Sequence, residues 1–125
     1  MLVHHKMKKI DLPKLKKKAQ ETFNKWIRER DKNLGCISCG SNVDHAGHYF
    51  SAGHYSLLTF DETNVNGQCL RCNNFLHGNL IHYRMGLVER YGDKKVIELE
   101  NQSRNKIKKW DRVELEDIIL KYKLK

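Results

Sequence analysis

The spacing of apolar residues predicts a long amphipathic helix near the start of the chain. Helical periodicity relates Leu12, Leu15, Ala19, Phe23, Trp26, Ile27 and Arg30, and the opposite face carries Lys14, Lys16, Lys17, Lys18, Lys25 and Arg28. Asp11 is a suitable N-cap, Pro13 fits the first turn, and Gly35 is the predicted end. We therefore expect a helix with one buried face and one positively charged face, preceded by a mobile basic leader at residues 1–10.

Short strands are predicted where the helical period is lost. Residues 43–60 are rich in His, Tyr, Phe and Gly, which predicts two short strands joined by a loop at residues 51–54. Residues 61–66 are polar and predict a turn. The segment from Gln68 to His77 is expected to enter a helix directly after the second cysteine pair.

The rest of the chain is predicted to be helical. One helix is expected from Leu80 to Arg90, ended by Gly92, and a second from an Asp93 cap to about Lys109. Asp111 and Glu114 have the spacing of a capping box. That box would begin a last helix whose apolar positions are Val113, Leu115, Ile118, Ile119 and Tyr122.

The pattern contains no repeat and no linker, so a single domain over residues 1–125 is expected. Within it we distinguish a leader and helix at 1–34, a core at 35–92 and C-terminal helices at 93–125.

The charge of the chain favours a polyanionic partner. Its 24 Lys and Arg outnumber 15 Asp and Glu, which gives a formal net charge of +9 and a pI near 9.5. Nucleic acid is the first candidate partner and an anionic membrane surface the second. No stretch is apolar enough to span a bilayer, and no secretory signal is recognisable. A cytoplasmic protein without a membrane partner is therefore expected.

Four cysteines form two CxxC pairs, Cys36/Cys39 and Cys69/Cys72. Cysteines of a cytosolic protein usually stay reduced, and two spaced CxxC pairs are typical of a tetrahedral Zn²⁺ site. Four thiolates leave no open coordination position, so such a zinc ion would be structural. The alternatives are four free buried cysteines or a redox pair. A structural metal ion would stabilise such a chain, because 31% of its residues are charged and its apolar core is expected to be small.

Histidines are frequent, and one of them has informative neighbours. Of the seven histidines, His48 lies on a predicted strand, where a lone histidine is more often packed than catalytic. Asn64 follows it in the predicted turn, and Asn73 comes directly after Cys72. An isolated Asn64 could equally be a turn residue.

Together these residues resemble a known motif. The order His48, Asn64, Cys69-Leu-Arg-Cys72-Asn73, bracketed by two CxxC pairs, resembles the HNH nuclease signature. The segments Ala46-Gly-His-Tyr49, Phe60 to Asn73, Leu76-His-Gly-Asn79, Tyr83-Arg84 and Gly86-Leu87 resemble more narrowly the NinG/Rap family of phage recombination proteins, which cleave branched DNA. The resemblance covers residues of about 36 to 92.

The resemblance implies a fold and roles for individual residues. The fold would be α+β, with a small ββα-metal (His-Me finger) core and a structural four-cysteine zinc site, flanked by N- and C-terminal helices. His48 would be the general base, Asn64 would fix its loop, and Asn73 would bind a catalytic Mg²⁺ or Mn²⁺. His77, one helical turn after Asn73, could share that ion.

The chain departs from the common HNH pattern at Gly47, where many members place an acidic or histidine metal ligand. Asp44 and His45, which lie earlier in the strand, are the alternative candidates for the missing ligand. His45 could also mimic the base, but the spacing from His48 to Asn64 fits better.

DNA contacts are expected from the basic segments 1–30 and 104–112, and from Arg71, Tyr83, Arg84 and Arg90 near the site. A homodimer would suit a branched substrate, and its interface could use Leu99, Ile107, Trp110, Leu115, Ile118 and Ile119, which could equally complete the core. The alternatives are a non-catalytic zinc-knuckle module that binds nucleic acid, a general HNH nickase, and a RING-type module, which would need more metal ligands.

Overall fold

The structure is a computed structural model that describes residues 10–124. The leader predicted for residues 1–10 lies outside this range except for Ile10. In chain order the elements are α1 (Leu12–Asp31), β1 (His45–His48), β2 (Val65–Gln68), a helical turn (Arg71–Phe75), α2 (Leu80–Tyr91), α3 (Asp93–Gln102) and α4 (Arg112–Tyr122). The architecture is a small α+β fold, in which helices cover a two-stranded sheet.

Helix α1 forms as its period predicts. Asp11 caps it by accepting a hydrogen bond from the Lys14 backbone N–H at 3.0 Å, and the side chains of Leu15, Ala19, Phe23 and Ile27 are buried. The predicted end at Gly35 is wrong, because the helix ends at Asp31. Gly35 instead closes the following turn with a φ of +85°.

The second strand is not where the sequence predicted it. β1 and β2 pair antiparallel in the register His45↔Gln68 to His48↔Val65, so β2 occupies part of the predicted turn and the first residue of the segment expected to lead into a helix. All four β2 residues are buried, and burial on both faces removes the polar–apolar alternation that marks a strand. Residues 49–64 form a loop with a single 3₁₀ turn at Ser56–Leu58.

The buried apolar residues form two clusters. The first joins α1 and α4 and contains Leu15, Ala19, Phe23, Ile27, Phe60, Val65, Leu115, Ile119 and Tyr122. The second joins α2 and α3 and contains Ile37, Leu58, Tyr83, Leu87, Val96 and Leu99. Helix α1 packs against both strands, and Tyr83 of the second cluster donates a hydrogen bond to the Gly47 carbonyl oxygen of β1.

The C-terminal helices mostly complete these clusters. The capping box is confirmed, since Asp111 accepts from the Glu114 N–H at 2.8 Å and Glu114 accepts from the Asp111 N–H at 3.1 Å. Of the residues considered for an interface, Leu99, Leu115 and Ile119 are buried, Trp110 and Ile118 pack against the first cluster, and Ile107 is exposed.

Helix α3 differs from its prediction at both ends. Its N-cap is Gly92, not Asp93, and it ends at Gln102 instead of near Lys109. The C-terminal end comes early because the residues after it, Lys108 and Trp110, are bound by Ser56. The Ser56 hydroxyl binds the backbone N–H of Lys108 at 2.8 Å and its C=O at 3.0 Å, and the Trp110 indole donates to the Ser56 carbonyl at 2.8 Å.

None of the helices within residues 10–124 has the length and apolar character needed to cross a bilayer.

Candidate functional site

The four cysteines come together as their spacing predicts. The Sγ atoms of Cys36, Cys39, Cys69 and Cys72 all lie within 4.8 Å of one another, and Cys39 Sγ is 3.7 Å from Cys69 Sγ. Four sulfurs held by a tetrahedral zinc ion at ~2.3 Å would be about 3.8 Å apart. The donor set and its spacing fit a structural metal ion of this kind.

Local hydrogen bonds prepare one of these sulfurs for metal binding. Burial raises the pKa of the Cys69 thiol, but hydrogen bonds from the Ser41 hydroxyl and the Cys72 backbone N–H outweigh it and lower this pKa to about 6. A thiol with such a pKa is a thiolate at neutral pH, which is the form that binds metal.

His48, the last residue of β1, is held in one orientation. Its Nε2 lies 3.0 Å from the Thr59 backbone carbonyl oxygen. A carbonyl can only accept, so Nε2 carries the proton and the lone pair of the neutral ring is on Nδ1. Burial lowers the pKa of His48 below its ordinary value, against the hydrogen bond to Thr59, which raises it. The ring is therefore neutral at physiological pH.

Asn64 closes the loop that contains Thr59. Its side chain is fully buried, its Oδ1 accepts from the Phe50 N–H at 2.8 Å, and its Nδ2 donates to the carbonyls of Phe50 at 2.9 Å and Leu58 at 3.1 Å. Both ends of the loop are thus tied to one amide. This arrangement places Asn64 where it can fix the loop and, through Thr59, His48.

Tyr83 reinforces the same junction from α2. Its hydroxyl lies 2.6 Å from the carbonyl oxygen of Gly47 and 3.2 Å from that of Asn64, and its side chain is fully buried. The prediction that Tyr83 contacts DNA is therefore not supported, because no part of its ring reaches the surface. The residue packs and positions the strand instead.

The residues considered as ligands of a catalytic ion separate into two groups. Asn73 Nδ2 lies 3.1 Å from Nδ1 of His45, so these two side chains meet next to Gly47. Asp44 is engaged elsewhere, since its carboxylate caps the helical turn by accepting from the Leu70 N–H at 2.8 Å.

The expectation that His77 shares a helix face with Asn73 is wrong. The helical turn ends at Phe75, and His77 has a φ of +50° in the reversal that follows. Its side chain is exposed. The helix stops because Gly78, with a φ of +91°, turns the chain back and donates its N–H to the Cys72 carbonyl at 2.8 Å.

The three arginines predicted to contact DNA have different surroundings. Arg71 is exposed and makes no ion pair within residues 10–124. Arg84 makes a two-pronged ion pair with Glu100, with both distances 3.0 Å. Arg90 points inward, with Nη1 3.4 Å from Asp31 and 3.4 Å from Asn66. Arg71 is the most available of the three to a phosphate.

Two important residues were missed by sequence reasoning. Asp31 is a fully buried carboxylate at the end of α1, and Gln68 is a fully buried amide beside Gly47. The sequence carries one signal for Gln68: Asn64, Asn66 and Gln68 alternate along the chain, which is the period of one strand face. Asp31 gives no comparable signal, because it follows a run of charged residues on an exposed-looking helix end.

Comparison with known proteins identifies relatives over nearly the whole chain. The family model described as "Bacteriophage Lambda NinG protein" matches residues 3–125. "Protein ninG" of Escherichia phage 933W is 42% identical over 113 residues, which cover 87% of this chain and 55% of that protein. The protein of the same name from Salmonella phage P22 is 42% identical over 112 residues, with 87% and 54% covered.

The relative from Escherichia phage lambda, also named "Protein ninG", is 43% identical over 88 residues, which cover 68% of this chain and 43% of the relative. The chain thus spans about half the length of the curated relatives that it matches. No solved structure matches it.

Proposed function

Because this chain belongs to the NinG family, we propose that it is a metal-dependent DNA endonuclease of the HNH type that hydrolyses phosphodiester bonds in branched DNA. The substrate would be a Holliday junction or a D-loop formed during phage recombination in the host cytoplasm. The observation that carries the proposal is the environment of His48. This histidine is neutral, fixed in one tautomer by Thr59, and lies at the end of a strand tied by Asn64 and Tyr83.

These features suit general-base catalysis. A base must hold a free lone pair and keep one orientation, and His48 Nδ1 meets both conditions because Nε2 is engaged by Thr59. His48 would take a proton from the attacking water. A bound Mg²⁺ or Mn²⁺ would polarise the scissile phosphate and stabilise the leaving oxygen. Asn73, beside Gly47, is positioned to contribute a ligand to that ion.

The four-cysteine cluster would hold a structural zinc ion. All four protein ligands come from the cluster, so no position is left for a substrate or a water molecule. The zinc would fix the helical turn that carries Asn73, which follows Cys72 directly. Its role in the nuclease is therefore to position Asn73 next to β1.

DNA binding would depend mainly on phosphate contacts. The exposed face of α1 carries Lys14, Lys17, Lys18 and Lys25, and the whole chain has a formal net charge of +9. Such contacts follow the shape of the DNA backbone. Their affinity falls as the salt concentration rises, because counterion release on binding then contributes less free energy. A surface of this type suits a substrate recognised by its branching.

The first test is cleavage of a labelled four-way junction and a matched linear duplex with Mg²⁺, with Mn²⁺ and with EDTA. Loss of a general base typically slows a reaction about 10²- to 10⁴-fold, so we expect His48→Ala to lose at least a hundredfold in rate. His54→Ala is the matched control. His54 lies in the same loop but is exposed, and within residues 10–124 its ring bonds only the Ser51 hydroxyl, so its removal should leave the rate unchanged.

Each result of this assay has a defined meaning. Zinc content and junction binding should be equal in the three proteins, which shows that the fold is intact. Equal cutting of the linear duplex would support the nuclease activity and contradict the preference for branched DNA. Tight binding without any cutting, under either metal, would leave a non-catalytic zinc-knuckle module that binds nucleic acid.

The pH profile gives a second prediction. The ordinary pKa of histidine is 6.5, and burial lowers that of His48. The base must be neutral, so kcat/KM for cleavage should rise with pH and reach half of its plateau below pH 6.5. A cation bound nearby would shift this limb further in the same direction. Measurement of kcat/KM between pH 5 and pH 8 at constant ionic strength tests it, and an acid limb above pH 6.5 would argue against His48 as the base.

A further inference from the structure

We propose that the amide oxygens of Gln68 and Asn73 together bind the catalytic cation, and that Gln68 replaces the metal-binding side chain that Gly47 cannot provide. This inference rests on the proposed function, since it identifies the ligands of the cation required there. It assigns to the site a residue, Gln68, that the HNH resemblance does not include.

The sheet register brings Gln68 next to Gly47. Gln68 pairs with His45, and Gly47 is two residues further along β1, so all three lie on one face of the hairpin. A Cβ built on Gly47 would overlap the amide oxygen of Gln68. The Gln68 oxygen therefore occupies the space into which a side chain at position 47 would extend.

The orientation of the Gln68 amide is fixed by its partners. One end lies 2.7 Å from the Gly78 carbonyl oxygen and 2.9 Å from the Ser38 hydroxyl. Because a carbonyl can only accept, this end is the NH₂ group, and the oxygen must face Gly47. Within the described residues this oxygen is fully buried and has no hydrogen-bond partner. A buried acceptor without a partner is unfavourable unless a cation or a donor reaches it.

Asn73 supplies the second oxygen. Its Oδ1 lies 3.1 Å from the same Cβ position on Gly47, so the two amide oxygens converge there. Its Nδ2 faces Nδ1 of His45 at 3.1 Å. His45 is thus a positioning residue, whose ring accepts from the Asn73 amide and turns the oxygen of Asn73 towards Gln68.

This donor set suits Mg²⁺ or Mn²⁺. These hard cations bind carboxylate, carbonyl and water oxygens, and Mg²⁺ usually keeps several waters and binds substrate phosphates. Two neutral amides add no negative charge, so the bound DNA phosphate would provide most of the neutralisation. Gly47 directly precedes His48 on β1, so the site adjoins the proposed base along the backbone, with the two positions on alternate faces of the strand.

The test measures Mn²⁺ binding to the zinc-loaded protein by electron paramagnetic resonance, without DNA. Loss of an oxygen ligand should weaken binding about tenfold or more, as is seen even for groups that only orient ligands. We expect this for Gln68→Ala. The matched control is Gln102→Ala, which removes an exposed glutamine side chain at the end of α3 and whose Mn²⁺ affinity should equal that of the wild type.

A double substitution tests the replacement directly. Among the described residues, the Gln68 side chain is the one that overlaps a Cβ at Gly47, Asn73 Oδ1 lies at a tight 3.1 Å, and Gly47 has no positive φ. Gly47→Asp combined with Gln68→Ala should therefore fit and return Mn²⁺ affinity at least to that of the wild type. Failure of the folded double variant to regain Mn²⁺ binding would overturn the proposal.

A measurement on the unaltered protein covers the case in which Gln68→Ala does not fold. Substoichiometric Mn²⁺ should broaden the Gln68 side-chain NH₂ signals in a ¹H–¹⁵N spectrum more than those of Asn66, an equally buried amide on the same strand. Equal or absent broadening at Gln68 would contradict the assignment. If Mn²⁺ binding follows the predicted order but no DNA is cut, the ligands stand and the nuclease proposal fails. If DNA is cut and Gln68→Ala binds Mn²⁺ normally, the nuclease proposal stands and the assignment of Gln68 as a ligand fails.

Discussion

Removal of the zinc ion proposed for the four-cysteine cluster should abolish the cooperative fold of this protein at 25 °C. Structural zinc in small domains contributes about 10–16 kcal/mol of apparent binding free energy, which is comparable with the whole stability of a domain at about 5–15 kcal/mol. The cysteine cluster joins the turn after α1 to the end of β2 and to the helical turn that carries Asn73. Without the ion these segments lose their common anchor.

Two measurements check this expectation. Far-UV circular dichroism should lose most of its helical signal when a strong chelator removes zinc, and Cys72→Ser should show the same loss without chelator, because Cys72 is a buried member of the cluster. The control is the chelator saturated with zinc beforehand. A metal-free protein that retains a cooperative thermal transition would show that the apolar clusters suffice and that the zinc is dispensable for folding.

Replacement of Asp31 by alanine should cost about 3–5 kcal/mol, the usual penalty for breaking a buried ion pair. The carboxylate is fully buried. It accepts from the Gly67 N–H at 2.7 Å, from Arg30 Nε at 2.7 Å and Nη2 at 3.0 Å, and from Arg90 Nη1 at 3.4 Å. Asp31→Ala would leave the Gly67 N–H of β2 without its acceptor and both guanidinium groups without their carboxylate.

The measurement is urea unfolding of the zinc-saturated protein. Glu29→Ala is the matched control, since Glu29 pairs with Lys32 on the exposed side of the same helix end and its loss should not change the midpoint measurably. An unchanged midpoint for Asp31→Ala would contradict the buried network.

The same carboxylate predicts a pH dependence of stability. Burial raises the pKa of Asp31, but the hydrogen bonds from Arg30 and Gly67 outweigh it and lower this pKa below the ordinary 3.8. The stabilisation is therefore fully present above pH 3.8 and is lost as the pH falls through the lower native pKa.

Much of the helical structure could be predicted because each helix has its own local signal. The apolar period of α1, the Asp11 cap and the Asp111–Glu114 box all depend on residues close in sequence. Strand β2 could not be predicted in this way. Its buried amide Asn66 is stabilised by Tyr91 and Arg30, which are distant in sequence, so a polar segment could enter the interior.

The site was predictable to a similar extent. The cysteine spacing predicted a cluster that the structure brings together, and the motif selected His48 and Asn64, whose contacts are consistent with their expected roles. The prediction for His77 was wrong because it assumed a longer helix, whereas the chain reverses at Gly78. The importance of Gln68 depends on the cross-strand register and on the missing side chain of Gly47, neither of which is visible along the chain.

The contacts of Ser56 determine how large a fragment must be to keep His48 in its observed orientation. The Thr59 hydroxyl donates to the Ser56 carbonyl at 2.7 Å, and Ser56 is itself held by the backbone of Lys108 and the indole of Trp110. A fragment limited to residues 35–92 would contain every cysteine and every motif residue, yet it would lack the segment that holds Thr59 in place. The histidine's tautomer is therefore selected by a part of the chain outside the motif, and transplanting the motif into another scaffold would require a substitute for that support.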